Sequence, residues 1–104
     1  MINSTASLCV SEGIYMTIIV AGKLMLKSGT RNEFIEKSRE AILQARELEA
    51  CEDFSVSPDP IDENRVNIFE KWSSHNELDA FRHSGSDNES FALVESFNVN
   101  EYEI

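Results

Sequence analysis

An α+β domain built in the order β-α-β-β-α-β is what this sequence predicts, and three observations carry the prediction. The stretches Thr17 to Lys27 and Arg65 to Ser73 are rich in β-branched and aromatic residues and read as strands with two differently employed faces. Asn32 to Leu48 instead repeats its apolar residues at helical spacing. Between two strand-like stretches, the run Pro58-Asp59-Pro60-Ile61-Asp62-Glu63-Asn64 is made of turn formers and reverses the chain into a hairpin.

Residues 1–15, MINSTASLCVSEGIY, are small, polar and aperiodic; they are expected to form an extension, with the folded domain at residues 16–104. In the first strand Ile18, Val20, Gly22, Leu24 and Leu26 share one face, and Ile19, Ala21, Lys23 and Met25 share the other. Both faces are largely apolar, so both are expected to be covered. Ser28-Gly29 ends the strand, and Thr30 with Glu33 makes a capping-box pattern for the following helix. Phe34, Ile35, Ala41, Ile42, Ala45 and Leu48 form the stripe by which that helix packs on the core.

Asp53 to Ser57 sets Phe54 and Val56 among polar residues as a second strand, stopped by Pro58. The third strand divides Val66, Ile68, Glu70 and Trp72 from Asn67, Phe69 and Lys71. Neither face is wholly apolar or wholly polar. One is expected to pack on helices and the other to line a partly polar cavity or interface. Ser73 or Ser74 with Glu77 signals a short helix from His75 to about Arg82, with Leu78 and Phe81 inward. Residues 83–88, HSGSDN, read as a loop, Glu89 to Glu95 as a helical turn, and FNVNEYEI, residues 97–104, as a closing strand.

This order is the split β-α-β ferredoxin-like arrangement, an antiparallel sheet with both helices on one face. The other face of such a sheet is bare in a single chain. Large exposed apolar patches are uncommon on monomers, so a homodimer is expected.

Composition narrows the partners. Nineteen acidic against nine basic residues give a net charge of −10, which argues against a nucleic-acid backbone or an anionic membrane surface as principal partner. Two cysteines, Cys9 and Cys51, are too few for a disulfide framework and lack zinc-ligand spacing. No basic residue precedes Lys23, so no charged start of a signal peptide is seen, and the apolar run Ile14 to Leu26 is shorter than the ~20 residues that span a bilayer. A cytoplasmic protein is expected. Phosphate-binding Gly-rich loops, nucleophile elbows and paired catalytic acids do not emerge from the sequence.

The strand TIIVAGKLMLKSGTRNEF, the connection Glu49-Ala50-Cys51 before DFSVSPDP, and above all Val66-Asn67-Ile68-Phe69-Glu70-Lys71-Trp72 followed by His75-Asn76-Glu77-Leu78-Asp79-Ala80-Phe81 resemble the antibiotic-biosynthesis monooxygenase family. The resemblance spans residues 17 to 104, and Glu70-Lys71-Trp72 with Ser73-Ser74 is similar to the family's Glu-x-Trp-x-Ser signature. It implies a dimeric α+β barrel. It also implies oxidation of a small quinol or polyphenol by O2 without metal, flavin or other cofactor, or alternatively a non-catalytic aromatic-ligand-binding or structural dimer of the same fold. Ala50 and Phe81 depart from the family's pattern, which commonly has Gly and His there.

Chemistry of this kind needs a group that accepts a proton and a dry pocket for an aromatic ring. Trp72 could stack on such a ring or donate its indole N–H, or it could be a core aromatic beneath the strand. Asn67 could bind a quinol oxygen, yet it has the opposite parity to Trp72, so a regular strand lets only one of them face the cavity. Glu70 is either a satisfied structural partner or a base with a raised pKa. His75, at a helix start, and His83, in a loop, are bases or surface histidines, and Cys51 is a small packed side chain or a nucleophile. Trp72, Asn67 and His83 form the candidate catalytic set, with no cofactor-binding or metal-binding residue.

Overall fold

Four strands make one antiparallel sheet in a computed structural model that describes residues 16–84 and 90–104. They are β1 (Ile18–Leu26), β2 (Cys51–Pro58), β3 (Arg65–Trp72) and β4 (Val94–Glu103), ordered β2-β3-β1-β4 across the sheet. Helix α1 (Arg31–Arg46) connects β1 to β2, and α2 (His75–Ser84) follows β3. This is the predicted ferredoxin-like topology. The expected extension at 1–15, and residues 85–89 of the expected loop and helical turn, lie outside the described residues.

Register fixes which side chains meet. Val20 on β1 stands opposite Glu70 on β3 and Glu101 on β4, whereas the next residue, Ala21, stands opposite Phe69 and Asn100. The first set points toward the helices and the second away from them, because successive side chains alternate across a sheet. Ile18, Val20, Phe54 and Trp72 pack with Ala45 of α1 and Leu78 of α2, and a second cluster joins Leu26 and Val66 to Phe34. Each such large side chain contributes about 1.5–3 kcal/mol through its removal from water. Both helices therefore cover one face. The other face carries Ile19, Ala21, Lys23, Met25 and Phe69 together with Asn67, Asn98 and Asn100, and no described element of the chain lies over it.

Three local readings change, and one left open is settled. The Thr30 hydroxyl does not cap α1 but donates to the Lys27 carbonyl oxygen at 2.7 Å, closing the turn instead. Ser74, rather than Ser73, caps α2, its Oγ accepting from the Glu77 N–H at 3.2 Å. That helix continues through Ser84, so His83 sits in its last turn and not in a loop. The helical turn before the closing strand shrinks to the 3-10 turn Phe91–Leu93, and β4 starts at Val94, where pairing with Leu26 begins.

The hairpin tip is ordered by charge aimed at carbonyls. The Arg31 Nη1 donates to the Asp59, Asp62 and Arg65 carbonyl oxygens at 2.9, 3.0 and 3.3 Å. Asp59 accepts from the Asn67 side-chain amide and from the Ile61 and Asp62 N–H groups, which hold its carboxyl down at about 2. Asn64 Oδ1 accepts from the Gly29 N–H at 3.2 Å and so fastens the tip to the turn after β1.

Gly22 lets β4 approach β1 at the sheet centre. Its φ is 156°, and a Cβ there would collide with the Asn98 carbonyl oxygen, a backbone atom that cannot move aside without breaking the ladder. Gly22→Ala is expected to lose ~2 kcal/mol or more in urea unfolding, whereas Gly29→Ala, with open space around the new methyl, should lose about 1 kcal/mol from its left-handed backbone alone. Equal stabilities for the wild type and the Gly22 variant would refute the close-approach explanation.

Candidate functional site

The richest cluster of titratable side chains lies where β3, β1 and β4 pass under α2. Trp72, the last residue of β3, is fully buried by the core. Its ring meets Phe81 of α2 at a centroid distance of 5.5 Å, and Phe81 in turn meets Phe54 of β2 edge-on at 5.7 Å. A buried indole N–H must find an acceptor. It finds Glu70 two residues earlier on the same face, Nε1 donating to Oε1 at 2.9 Å.

Glu70 is thereby held in an apolar setting, and burial pushes its carboxyl above the ordinary value of 4.5. The indole hydrogen bond and the Arg82 guanidinium pull the other way, while the Glu101 carboxylate pushes it further up. Across β1, Glu101 takes Arg82 Nη1 at 2.6 Å and the His75 Nε2 at 3.4 Å, and His75 Nδ1 lies 3.3 Å from Asp79. His75, Asp79 and Arg82 share one side of α2, spaced four and three residues apart. A carboxyl raised by burial, aimed by an indole and influenced by the Arg82 guanidinium and the Glu101 carboxylate, stands beside aromatic rings. Such an arrangement can accept a proton from a phenol.

The three residues singled out by the sequence are not brought together. Trp72 is beneath α2 and has no exposed surface. Asn67 is on the opposite face of the sheet, as parity requires, where Oδ1 accepts from the Arg65 Nε at 2.7 Å and Nδ2 donates to Asp59 at 3.0 Å. His83 is exposed, its ring Nδ1–H donating to the Asp79 carbonyl oxygen at 2.8 Å. Phe81 fills the space between Trp72 and Phe54 with a ring. Cys51 is buried, its Sγ donating to the Asp53 carbonyl oxygen at 3.4 Å, and burial raises its thiol.

Arg82 and Glu101 escaped the sequence reading. A signal was present for Glu101, an acid at the position in FNVNEYEI that continues the face of Phe97 and Val99. Arg82 carried none, since a basic residue in the last turn of a helix is ordinary. Among the described residues no group of His, Cys, Asp and Glu side chains is arranged to hold a metal ion, and no helix is long and apolar enough to cross a membrane.

Comparison with solved structures returns the same fold. A conserved protein from Methanosarcina mazei is 22% identical with a TM-score of 0.73, covering 84% of this chain and 91% of that one. A candidate antibiotic biosynthesis monooxygenase from Nitrosomonas europaea is 13% identical with a TM-score of 0.68, over 86% and 88% of the two chains. Another from Caulobacter crescentus is 15% identical with a TM-score of 0.70, over 88% and 94%. No curated protein matches the sequence. The model of the antibiotic biosynthesis monooxygenase family matches residues 17–91, well over half of the chain, from β1 through α2 and into the turn before β4; the chain belongs to that family.

Proposed function

We propose that the protein is a homodimeric monooxygenase that oxidises a small quinol or polyphenol with O2, using no metal or flavin, and that Glu70 is its proton acceptor. The observation that carries this reading is the bond from the Trp72 indole to a carboxyl whose proton affinity is raised by burial, set against the aromatic rings of Phe54 and Phe81. Glu70 takes the phenolic proton and leaves an electron-rich phenolate, which reduces O2 directly. One oxygen atom bonds to a ring carbon that loses its hydrogen, and the other leaves as water. The ring supplies all four electrons and ends as a hydroxyquinone. Arg82, paired with Glu101 nearby, stabilises negative charge as it develops. Trp72 is a positioning residue here, because its ring is wholly enclosed.

A second reading, a non-catalytic ligand-binding or structural dimer, draws on a specific observation. Trp72 is sealed in the core, and the Asn67 amide is already engaged on both of its polar atoms. Oxygen uptake with a panel of hydroquinones in metal-free buffer separates the two. Turnover above the spontaneous rate is expected, falling at least ~100-fold in Glu70→Gln and little changed in His83→Gln. Loss of activity in the His83 variant alone would transfer the base to that imidazole, and no turnover across the panel would leave the binding reading.

Stability gives an independent check on Glu70. The folded chain holds this proton more tightly than the unfolded chain, so its contribution to stability is full below the ordinary value of 4.5 and is lost as pH rises through the raised folded value. Glu70→Gln keeps an acceptor for the indole N–H and has no charge. Its stability relative to wild type should therefore improve from acidic to neutral pH in denaturant titrations; parallel profiles would contradict the burial of this carboxyl.

The homodimer is supported by the mixed apolar face opposite the helices, which carries Ile19, Met25 and a Phe69 that is 37% exposed. Light scattering at micromolar concentration should give twice the chain mass of 11.8 kDa. A monomer would remove that part of the proposal.

A further inference from the structure

A groove between α1 and the outer edge of β2 belongs neither to the proton-handling cluster nor to the face proposed to meet a second copy. Ile35, Arg39, Ile42, Leu43 and Arg46 of α1 and Val56 of β2 line a space of about 320 Å³ there. That is at the small end of the range for small-molecule sites, about 300–1,000 Å³. Residues 35, 39, 42 and 46 fall on one flank of the helix, spaced four and three apart. Leu43 lies between the two arginines and is 55% exposed.

The backbone of this edge has one donor to spare. β2 is an outermost strand, so every second residue turns its N–H and C=O away from β3. Phe54 is one of these, and both of its groups are taken: the N–H donates to Asp53 Oδ1 at 2.8 Å, and the carbonyl oxygen accepts from the Arg46 Nε at 2.9 Å. Val56 has the same orientation, because no register shift separates it from Phe54. Among the described residues nothing accepts its N–H. Pro58, next in the series, has no N–H to offer. Arg39 and Arg46 are seven residues apart, about 10.5 Å along the helix, and α1 runs opposite to β2, so the Val56 N–H falls between the two guanidiniums. Arg46 spends only its Nε on Phe54. Arg39 meets Glu36 at 4.0 Å with both side chains well exposed, a pairing too weak to withhold it from a ligand.

We infer that this groove binds a small monocarboxylate with an apolar tail, its carboxylate held by Arg39, Arg46 and the Val56 N–H and its tail laid on Ile35, Ile42 and Leu43. Charge selects the occupant. The flank carries two guanidiniums in a chain with nineteen acidic and only nine basic side chains, and the planar fork of a guanidinium matches a carboxylate with two parallel bonds. The aliphatic residues select the other end. An extended peptide fits less well, because the edge groups of Phe54 are already occupied on one side and Pro58 interrupts the series on the other. The inference does not rest on the catalytic reading, whose proton-handling residues lie on β3, β4 and α2.

Isothermal titration with octanoate, octanol and inorganic phosphate, together with amide NMR of the octanoate titration, tests the assignment. Saturable octanoate binding is expected, weakened about tenfold or more by Arg39→Gln and unchanged by Lys27→Gln, which removes a cation outside the groove. Arg39 is exposed, so its replacement leaves the core untouched. Octanol and phosphate, each lacking one half of the ligand, should bind at least about tenfold more weakly than octanoate. The Val56 amide resonance should move in step with the calorimetric saturation. Absence of saturable octanoate binding would overturn the inference, as would binding that Arg39→Gln leaves intact. Octanol binding as tightly would reduce the groove to an apolar surface, and phosphate binding as tightly would reduce it to a charged one; either result also overturns it. A shift of the Trp72 indole resonance with the Val56 amide unmoved would place the acid among the aromatic rings under α2 and overturn the inference as well.

Discussion

The indole N–H of Trp72 is the constraint from which much of the molecule follows. A ring of that size has to be buried for the sheet to close against α2, yet its one polar atom cannot be left unsatisfied there without a cost of about 1–3 kcal/mol. Main-chain acceptors nearby are committed to the β3 ladders with β1 and β2. The carboxyl of Glu70, one pleat back on the same face, is the group that reaches. Its enclosure then raises its own proton affinity, so a requirement of packing produces a group suited to accept a proton.

The same economy governs the charges around it. Glu101 on β4 would repel Glu70 across the single intervening strand, and Arg82 from α2 sits at Glu101 with His75 on the other oxygen. These pairs are part-exposed, so individually they contribute little to stability. Their effect is to set the local field at Glu70 and to tie α2 to the β4 edge, where few apolar contacts do so. Phe81 completes the wall. Its ring is packed between Trp72 and Phe54.

Much of the fold was legible because its signals are local. Alternation in β1 and β3, the helical stripe from Phe34 to Ala45, and two prolines after Val56 each specify an element without reference to the rest of the chain. Boundaries were less legible, since they depend on partners. β4 begins at Val94 because Leu26 is there to pair with it, and the Thr30 hydroxyl donates to the Lys27 carbonyl in place of capping the helix. The site was legible only in part. Parity separated Trp72 from Asn67 correctly, but nothing in the sequence says that Arg82 and Glu101 meet, because they lie nineteen residues apart on different elements. Asn67 looked like a ligand-binding amide; only the hairpin fold shows Asp59 and Arg65 occupying it.

The two faces of the sheet pose opposite electrostatic problems, and that contrast bears on how such a domain divides its work. Under the helices, burial raises the Glu70 carboxyl, and a guanidinium and an imidazole from α2 pair with the neighbouring Glu101. On the open face the sequence places lysine, arginine and asparagine between apolar residues, and two of its three cations are matched by Asp59 and Glu52. Among the described residues Lys23, at the centre of β1 between β3 and β4, has no such match. Its stem is flanked by Asn67 and Asn98, which keeps its charge near the middle of the sheet. Whatever covers this face must therefore bring a negative charge to that point or leave water there, and this requirement distinguishes the open face from a simple apolar dimer surface.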